Sequence, residues 1–294
     1  MPGLDIRGGG QVLRVVGCRG HTGSMGDEPI LDPRVLAYYD RGGERSRLET
    51  RCRLEYVRTR ELLDRFLPAS PARVLDVGGG AGAYAVPLIE AGYDVMLVDP
   101  VPLHVEQARQ AGVSGAAVGD ARSLDFDDDA FDAVLLLGPL YHLTDRQERV
   151  GALREAVRVV RSSGVIVAAV ISRFASTFDG LQAGFLLDDR FETIVDTDVA
   201  TGRHENPDVE PGWFTTAYFH HPDELDDEFA DAGCQVQTVL AVEGPTSGMS
   251  DLEAWLDDDE RRAILLRTIR RVESEPSLLG SSSHMLVVAR PSDR

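Results

Sequence analysis

This chain has little of what several function classes need. Its 294 residues include only three cysteines, Cys18, Cys52 and Cys234, far apart and with no CxxC pair. An odd, scattered set argues against a disulfide framework and against a thiolate metal site. No apolar run reaches the roughly 18 residues that span a membrane. Basic stretches are missing too: 30 Lys and Arg face 49 Asp and Glu, for a net charge of −19. Such a surface repels phosphate backbones, so nucleic acid is not an expected partner. The N-terminus, MPGLDIRGGGQVLRVVGCRG, is broken by glycine and lacks the apolar core of a signal peptide. These absences leave a cytoplasmic protein with a small-molecule partner, monomeric or homodimeric.

A sizeable core is possible: 43% of the residues are hydrophobic and 27% charged. Residues 1–28 read as a poorly structured tail and 29–69 as a helical lid, whose Leu54, Val57, Leu62, Leu63 and Phe66 mark one apolar face before Pro68. Elements then alternate. Strands are expected at 72–77, 95–100, 115–120, 130–138 and 165–172, with helices at 81–92, 102–111 and 145–161, the last ended by the SSG at 162–164. Continuous apolar strands between helices mean a parallel sheet covered on both faces. Residues 70–172 form this core and 173–220 read as an inserted cap, too long for an ordinary connection. The core pattern returns over 221–294, with helices near 222–232 and 250–273 and strands at 235–243 and 284–290.

The glycines gather at one place. VLDVGGGAGAYA, residues 74–85, sets Asp76 beside Gly78, Gly79, Gly80 and Gly82 where the first strand ends. Glycines there let the backbone turn and approach a ligand closely, and the helix that follows offers unpaired N–H groups. A glycine cluster alone fits any dinucleotide fold. Two further strand ends carry acids. Asp99, 17 residues beyond Gly82, closes LVDP, and Asp120 closes GD. A carboxylate at the second strand end can accept both hydroxyls of a ribose, and one at the third can accept from an adenine amino group. Each aspartate alone equally fits a helix cap or a turn; three strand ends in series favour a nucleoside site.

Taken together, DVGGGAG after VL, the acid of LVDP, and GDA resemble the class I S-adenosylmethionine-dependent methyltransferases over roughly residues 70–244 and the last strand. LLLGPLYHL, residues 135–143, resembles a bacterial small-molecule subgroup of that family. The resemblance implies an α/β, three-layer, Rossmann-like fold, its seven-stranded, mostly parallel sheet ending in an antiparallel strand. It also implies S-adenosylmethionine over the glycine loop, with S-adenosylhomocysteine as the product. On this reading Asp76 and Gly78 to Gly80 lie under the methionine part, Gly82 opens the helix, Asp99 with Pro100 holds the ribose, and Asp120 and Ala121 face the adenine. Leu137 offers its carbonyl near the methionine amino group, and Tyr39, on the lid with Tyr38 and Arg47, touches the donor.

Methyl transfer from a sulfonium needs positioning more than acid–base chemistry. His142 at the end of the fourth strand is the candidate base or substrate orienter, with Tyr141 a wall beside it; His142 equally fits a packing role under the donor. In the cap, Trp213, Phe214 and Tyr218 are candidate pocket walls, with Arg173 and His220 as polar anchors; the aromatics equally fit the cap's own core. His220 and His221 are adjacent, so in an extended segment they face opposite ways and do not easily share a metal. The fourth strand ends in Leu-Gly, without an acid for a metal, so no metal is expected. NPPY-like and Pro-Cys runs are absent there as well, which argues against base or protein amide acceptors. The competing readings are an NAD-dependent oxidoreductase, since Gly78-x-Gly80 with Ala83 approaches GxGxxG, and a non-catalytic nucleoside-binding protein. The acid within the first strand favours the methyl donor.

Overall fold

A computed structural model describes residues 31–39 and 52–292. The expected tail and Arg47 lie outside them. Helix α1 (Pro33–Tyr39) and helix α2 (Arg53–Phe66) precede the sheet. The core then runs β1 (Arg73–Val77), α3 (Ala85–Glu90), β2 (Asp94–Asp99), α4 (Pro102–Gln110), β3 (Gly115–Val118), β4 (Phe131–Leu136), α5 (Pro139–His142), α6 (Arg146–Val159) and β5 (Val160–Ser172). The cap holds α7 (Ala175–Ala183), α8 (Asp189–Thr201), β6 (Arg203–His204) and β7 (Ala217–His220). After it come α9 (Leu225–Asp231), β8 (Cys234–Ala241), α10 (Leu252–Asp257), α11 (Asp259–Arg270), α12 (Pro276–Leu279) and β9 (His284–Pro291).

The central seven strands lie in the order β3-β2-β1-β4-β5-β9-β8, and β9 runs antiparallel to both of its neighbours. The expected three-layer architecture is therefore present, with the last strand reversed. Alternate residues of each strand feed two separate cores. Leu75, Val134, Ile166 and Val287 pack against α6 and α9 through Leu153 and Phe229. Val74, Leu97, Leu135 and Val288 pack on the other face against Leu62, Leu88 and Val105 of α2, α3 and α4. Strands buried on both faces explain the unbroken apolar runs. From β1 the chain winds outward through β2 and β3, then returns to β4 on the other side. The strand order reverses between β1 and β4, and ligands of open α/β sheets bind beyond the strand ends at that point.

Four details depart from the sequence reading. Among the described residues the sheet has nine strands, because β7 adds in parallel to the end of β5 (Ile171 opposite Phe219) and β6 pairs antiparallel with β7. Strand β5 starts at Val160, so Ser162-Ser163-Gly164 lies inside a strand and α6 stops at Val159. Gly164 is needed there because a Cβ would sit 2.8 Å from the Asp132 carbonyl, beside a register shift between β4 and β5. Residues 81–84 form a turn, and α3 begins only at Ala85. The helix expected over 250–273 breaks at extended Asp258, whose carboxylate caps α11 by accepting from the Arg261 amide.

Candidate functional site

A cleft opens over the carboxyl ends of β1, β2 and β4 and encloses about 1040 Å³ of non-protein space, part of it open to solvent. Of the sequence-predicted residues, Tyr39, Asp76, Gly78, Gly79, Gly80, Asp99, Pro100, Asp120, Ala121, Leu137, Tyr141 and His142 line it. Gly82 does not. It turns toward α4, where a Cβ would meet Val113 at 3.1 Å.

The floor is built from the β1 turn. A Cβ on Gly79 would lie 2.6 Å from an Asp76 carboxylate oxygen, so only glycine lets the chain pass over that acid. Gly80 sits at φ +57°, and a Cβ there would meet nothing within 4 Å; its amide donates to Asp99 Oδ2 at 2.9 Å. Asp99 is further fixed by the Val101 amide at 2.9 Å and by His104 Nδ1 at 3.1 Å, both on Oδ1. A carboxylate offers about four acceptor positions, so Asp99 retains capacity for a hydroxyl. Asp76 is fully buried, and neither of its oxygens has a hydrogen-bond partner. Burial, with a smaller contribution from the nearby Asp99 charge, pushes its carboxyl up to about 7.

The rim is less uniform. Asp120 is gripped by its neighbour Arg122, with Nη2 at 2.7 Å from Oδ2. The Leu137 carbonyl accepts a long hydrogen bond, 3.4 Å, from the Tyr141 hydroxyl. The Tyr39 hydroxyl lies 2.7 Å from His142 Nε2, and its ring meets both His142 and His104 edge-on. The Thr216 carbonyl lies 3.5 Å from His142 Nδ1. A carbonyl can only accept, so this contact favours the tautomer with hydrogen on Nδ1 and a lone pair on Nε2 toward Tyr39.

The cap residues divide differently from the sequence reading. Phe214 stacks on His142 with ring centroids 5.9 Å apart and meets Tyr38 edge-on. Trp213 is instead buried in the cap's own core with Phe191, Ile194 and Val195. None of Trp213, Phe214, Arg173, Tyr218 and His220 lines the cleft, although Phe214 reaches its edge through His142. Arg173 pairs with Glu224, as does the Tyr218 hydroxyl, and the Tyr218 ring lies under Arg149 at 3.7 Å. His220 is fully buried against Glu228, which Arg149 holds through two bonds of 2.8 and 2.9 Å. Burial lowers the His220 pKa and would raise that of Glu228, but hydrogen bonds from His220 and Arg149 outweigh burial and hold Glu228 down to about 2. Polar groups beside an aromatic run have here found each other rather than a pocket.

Leu31, Glu55, Tyr84 and His104 also line the cleft and were missed by sequence reasoning. His104 is 3% exposed, and its Nε2 is buried without a partner. A signal did exist: Pro102 fixes the first position of α4, so the third position, His104, faces back toward the strand end.

The model of a methyltransferase domain matches residues 75–168. An uncharacterised methyltransferase of Mycobacterium tuberculosis is 38% identical over 105 residues, 35% of this chain and 42% of that protein. A ubiquinone biosynthesis O-methyltransferase of Methylocella silvestris is 34% identical over 116 residues, 38% of this chain and 44% of that protein. The chain thus spans less than half the length of either of these relatives. Among solved structures, an S-adenosylmethionine-dependent methyltransferase of Thermotoga maritima, described as a possible histamine N-methyltransferase, shares the fold with a TM-score of 0.54 at 20% identity, covering 88% of this chain and 99% of its own. The chain carries a methyltransferase domain at residues 75–168 in the fold of the class I S-adenosylmethionine-dependent methyltransferases, a family whose cofactor is S-adenosylmethionine.

Proposed function

We propose that this chain transfers a methyl group from S-adenosylmethionine to a protic group, foremost a hydroxyl, of a small molecule. The residues present fit the donor. Gly80 leaves open space, Asp99 retains acceptor capacity for a ribose, and Asp76 has two unpartnered oxygens that suit a cationic ligand. On this reading Asp76 and Gly78 to Gly80 form the methionine floor, Asp99 and Pro100 the ribose site, and Asp120 and Ala121 the adenine edge. When bound, the donor supplies a methyl group on a sulfonium that leaves readily.

The observation that carries the reading is the contact between Tyr39 and His142. The tyrosine hydroxyl occupies, 2.7 Å from Nε2, the place from which an acceptor hydroxyl would hand over its proton. His142 would take that proton as the oxygen attacks the methyl carbon, while Tyr141 and Phe214 confine the acceptor between aromatic faces. The relative named for O-methylation in ubiquinone biosynthesis is consistent with an oxygen acceptor. Among the described residues no helix is long and apolar enough to cross a membrane. With the net charge of −19, this supports a cytoplasmic metabolite enzyme rather than one acting on nucleic acid.

The test is calorimetric titration with S-adenosylmethionine, S-adenosylhomocysteine and NAD, followed by turnover on a panel of small phenols and alcohols. We expect micromolar binding of the first two and none of NAD, with Asp99→Ala weakening both by roughly a hundredfold, about 2.7 kcal/mol. His142→Ala should lower turnover by about 10²–10⁴-fold while leaving donor affinity within about threefold. Binding of NAD alone would overturn the reading.

A further inference from the structure

A phenol already sits at the candidate base. Tyr39 ends α1 and lines the cleft, with its hydroxyl 2.7 Å from His142 Nε2. Its ring is bordered edge-on by Tyr38, His104 and His142, at centroid distances of 5.3, 5.4 and 5.3 Å. Phe214 continues the aromatic wall by contacting both His142 and Tyr38. Edge-to-face packing of this kind favours a flat ring over an aliphatic chain. The ion pair that ties α1 to the cap, Arg34 with Glu205, is 4.0 Å long and exposed at both ends, so it holds the helix weakly.

The charge of the cleft narrows the acceptor class. Glu55, Asp76, Asp99 and Asp120 line it, and among the described residues no lysine or arginine does. Arg122 offsets Asp120 from outside the lining. An anionic acceptor would meet like charge there and find no cation to receive it. The proton to be removed points toward a phenol as well. An ordinary imidazole has a pKa of about 6.5 and a phenol one of about 10, whereas an alkyl alcohol lies near water, at about 16. A single histidine therefore shares a phenol's proton in the transition state far more readily than an alcohol's.

We propose that the acceptor is a phenol without an anionic substituent, whose ring takes the place that Tyr39 holds here. The inference rests on the methyl-transfer reading of the cleft and deepens it by naming the acceptor class. The phenol displaces Tyr39 from His142, α1 gives way as it enters, and its hydroxyl donates to Nε2. The phenol oxygen then bonds to the methyl carbon as that carbon's bond to sulfur breaks, with the bonding pair staying on sulfur. The O–H proton passes to Nε2 and is later lost to water. The products are an aryl methyl ether and S-adenosylhomocysteine.

The experiment is calorimetry on the full chain saturated with S-adenosylhomocysteine and titrated with p-cresol, 4-hydroxyphenylacetate and 4-methylcyclohexanol. It is repeated on Tyr39→Leu, first checked for an unchanged thermal transition. We expect p-cresol to bind at least about tenfold more tightly than either other probe. In Tyr39→Leu, where the competing phenol is gone, it should bind roughly threefold more tightly again. Comparable affinity for the three probes, or no binding of any, would overturn the proposal while leaving the donor site intact. So would p-cresol binding no tighter in a folded Tyr39→Leu, because Tyr39 would then be a wall of the acceptor site rather than its stand-in. If the variant does not fold, the three probes on the parent chain decide. A chain that binds no S-adenosylhomocysteine sinks the methyl-transfer reading itself, and this inference with it.

Discussion

Charged groups are buried in two regions of this molecule, and they are treated in opposite ways. Behind the cleft, Arg149 (1% exposed) and Glu228 (2%) form a two-bond pair. The arginine's remaining nitrogen donates to the carbonyls of Leu143 and Thr144, and its plane lies over Tyr218. On the cleft floor, Asp76 is equally buried and has no partner at all. The first arrangement is complete in itself and joins the cap return to α6. The second is incomplete, and desolvation makes it costly until something with positive charge or donor hydrogens arrives. The pair satisfies itself, and the acid on the cleft floor does not.

The sharpest way to break the comparison is at the pair. Arg149→Leu leaves the Glu228 charge buried with His220 and, at 4.0 Å, the half-exposed Arg146 beside it, and should cost about 3–5 kcal/mol of unfolding free energy. The double variant Arg149→Leu/Glu228→Leu should recover most of that, since removing both charges also removes their desolvation penalty. Chemical denaturation of the three proteins checks this, and donor affinity of the folded fraction should stay unchanged throughout. A double variant as unstable as the single one would mean that the arginine's carbonyl and ring contacts, not its charge pair, hold the junction.

The floor should answer with the opposite sign. The Asp76 carboxyl is raised from 3.8 to about 7 in the folded chain. Between those values the folded state keeps a proton that the unfolded state has lost. Ligand-free stability therefore falls as pH rises from about 4 to about 7, then levels off. Over that range the loss amounts to at most about 4 kcal/mol. Asp76→Asn removes this loss. The variant should gain on the parent by up to a few kcal/mol across that window and hold the gain at pH 8, while binding S-adenosylmethionine more weakly. Denaturation at pH 4.5 and pH 8 measures the gain. A difference between the two proteins that does not change with pH would contradict a carboxyl that titrates near neutrality.

The same contrast explains what was legible in the sequence. Asp76, Gly78 to Gly80, Asp99 and Asp120 could be read because each sits at a strand end, and strand ends follow from apolar runs only a few residues long. The sheet was legible for the same reason. Arg173, Tyr218 and His220 were misplaced because their partners Glu224, Glu228 and Arg149 sit on separate elements, and a sequence does not show that a polar side chain is already engaged. The strands β6 and β7 were hidden because Arg203–His204 is two residues long and the alternation in Ala217–His220 gains meaning only beside β5. Asp258 broke a helix that the apolar periodicity alone would have continued.

His104 stands between the two regimes, and the smallest predicted effect is the most discriminating. Its Nδ1 is bonded to Asp99, as in a completed pair, while its Nε2 is buried and unpartnered, as on the floor. If the free nitrogen serves a ribose hydroxyl, His104→Leu should weaken S-adenosylhomocysteine by roughly tenfold or less, the worth of one hydrogen bond of about 1 kcal/mol. Packing loss alone could produce the same number. A second ligand separates them: an analogue of S-adenosylhomocysteine lacking both ribose hydroxyls, titrated into parent and variant. Direct contact predicts that the analogue binds both proteins with similar affinity, because the partner of Nε2 is already gone. Equal losses for the two ligands would instead mean that His104 acts through packing, independently of the ribose hydroxyls, and the unpartnered nitrogen would then belong with the self-contained pairs rather than with the floor.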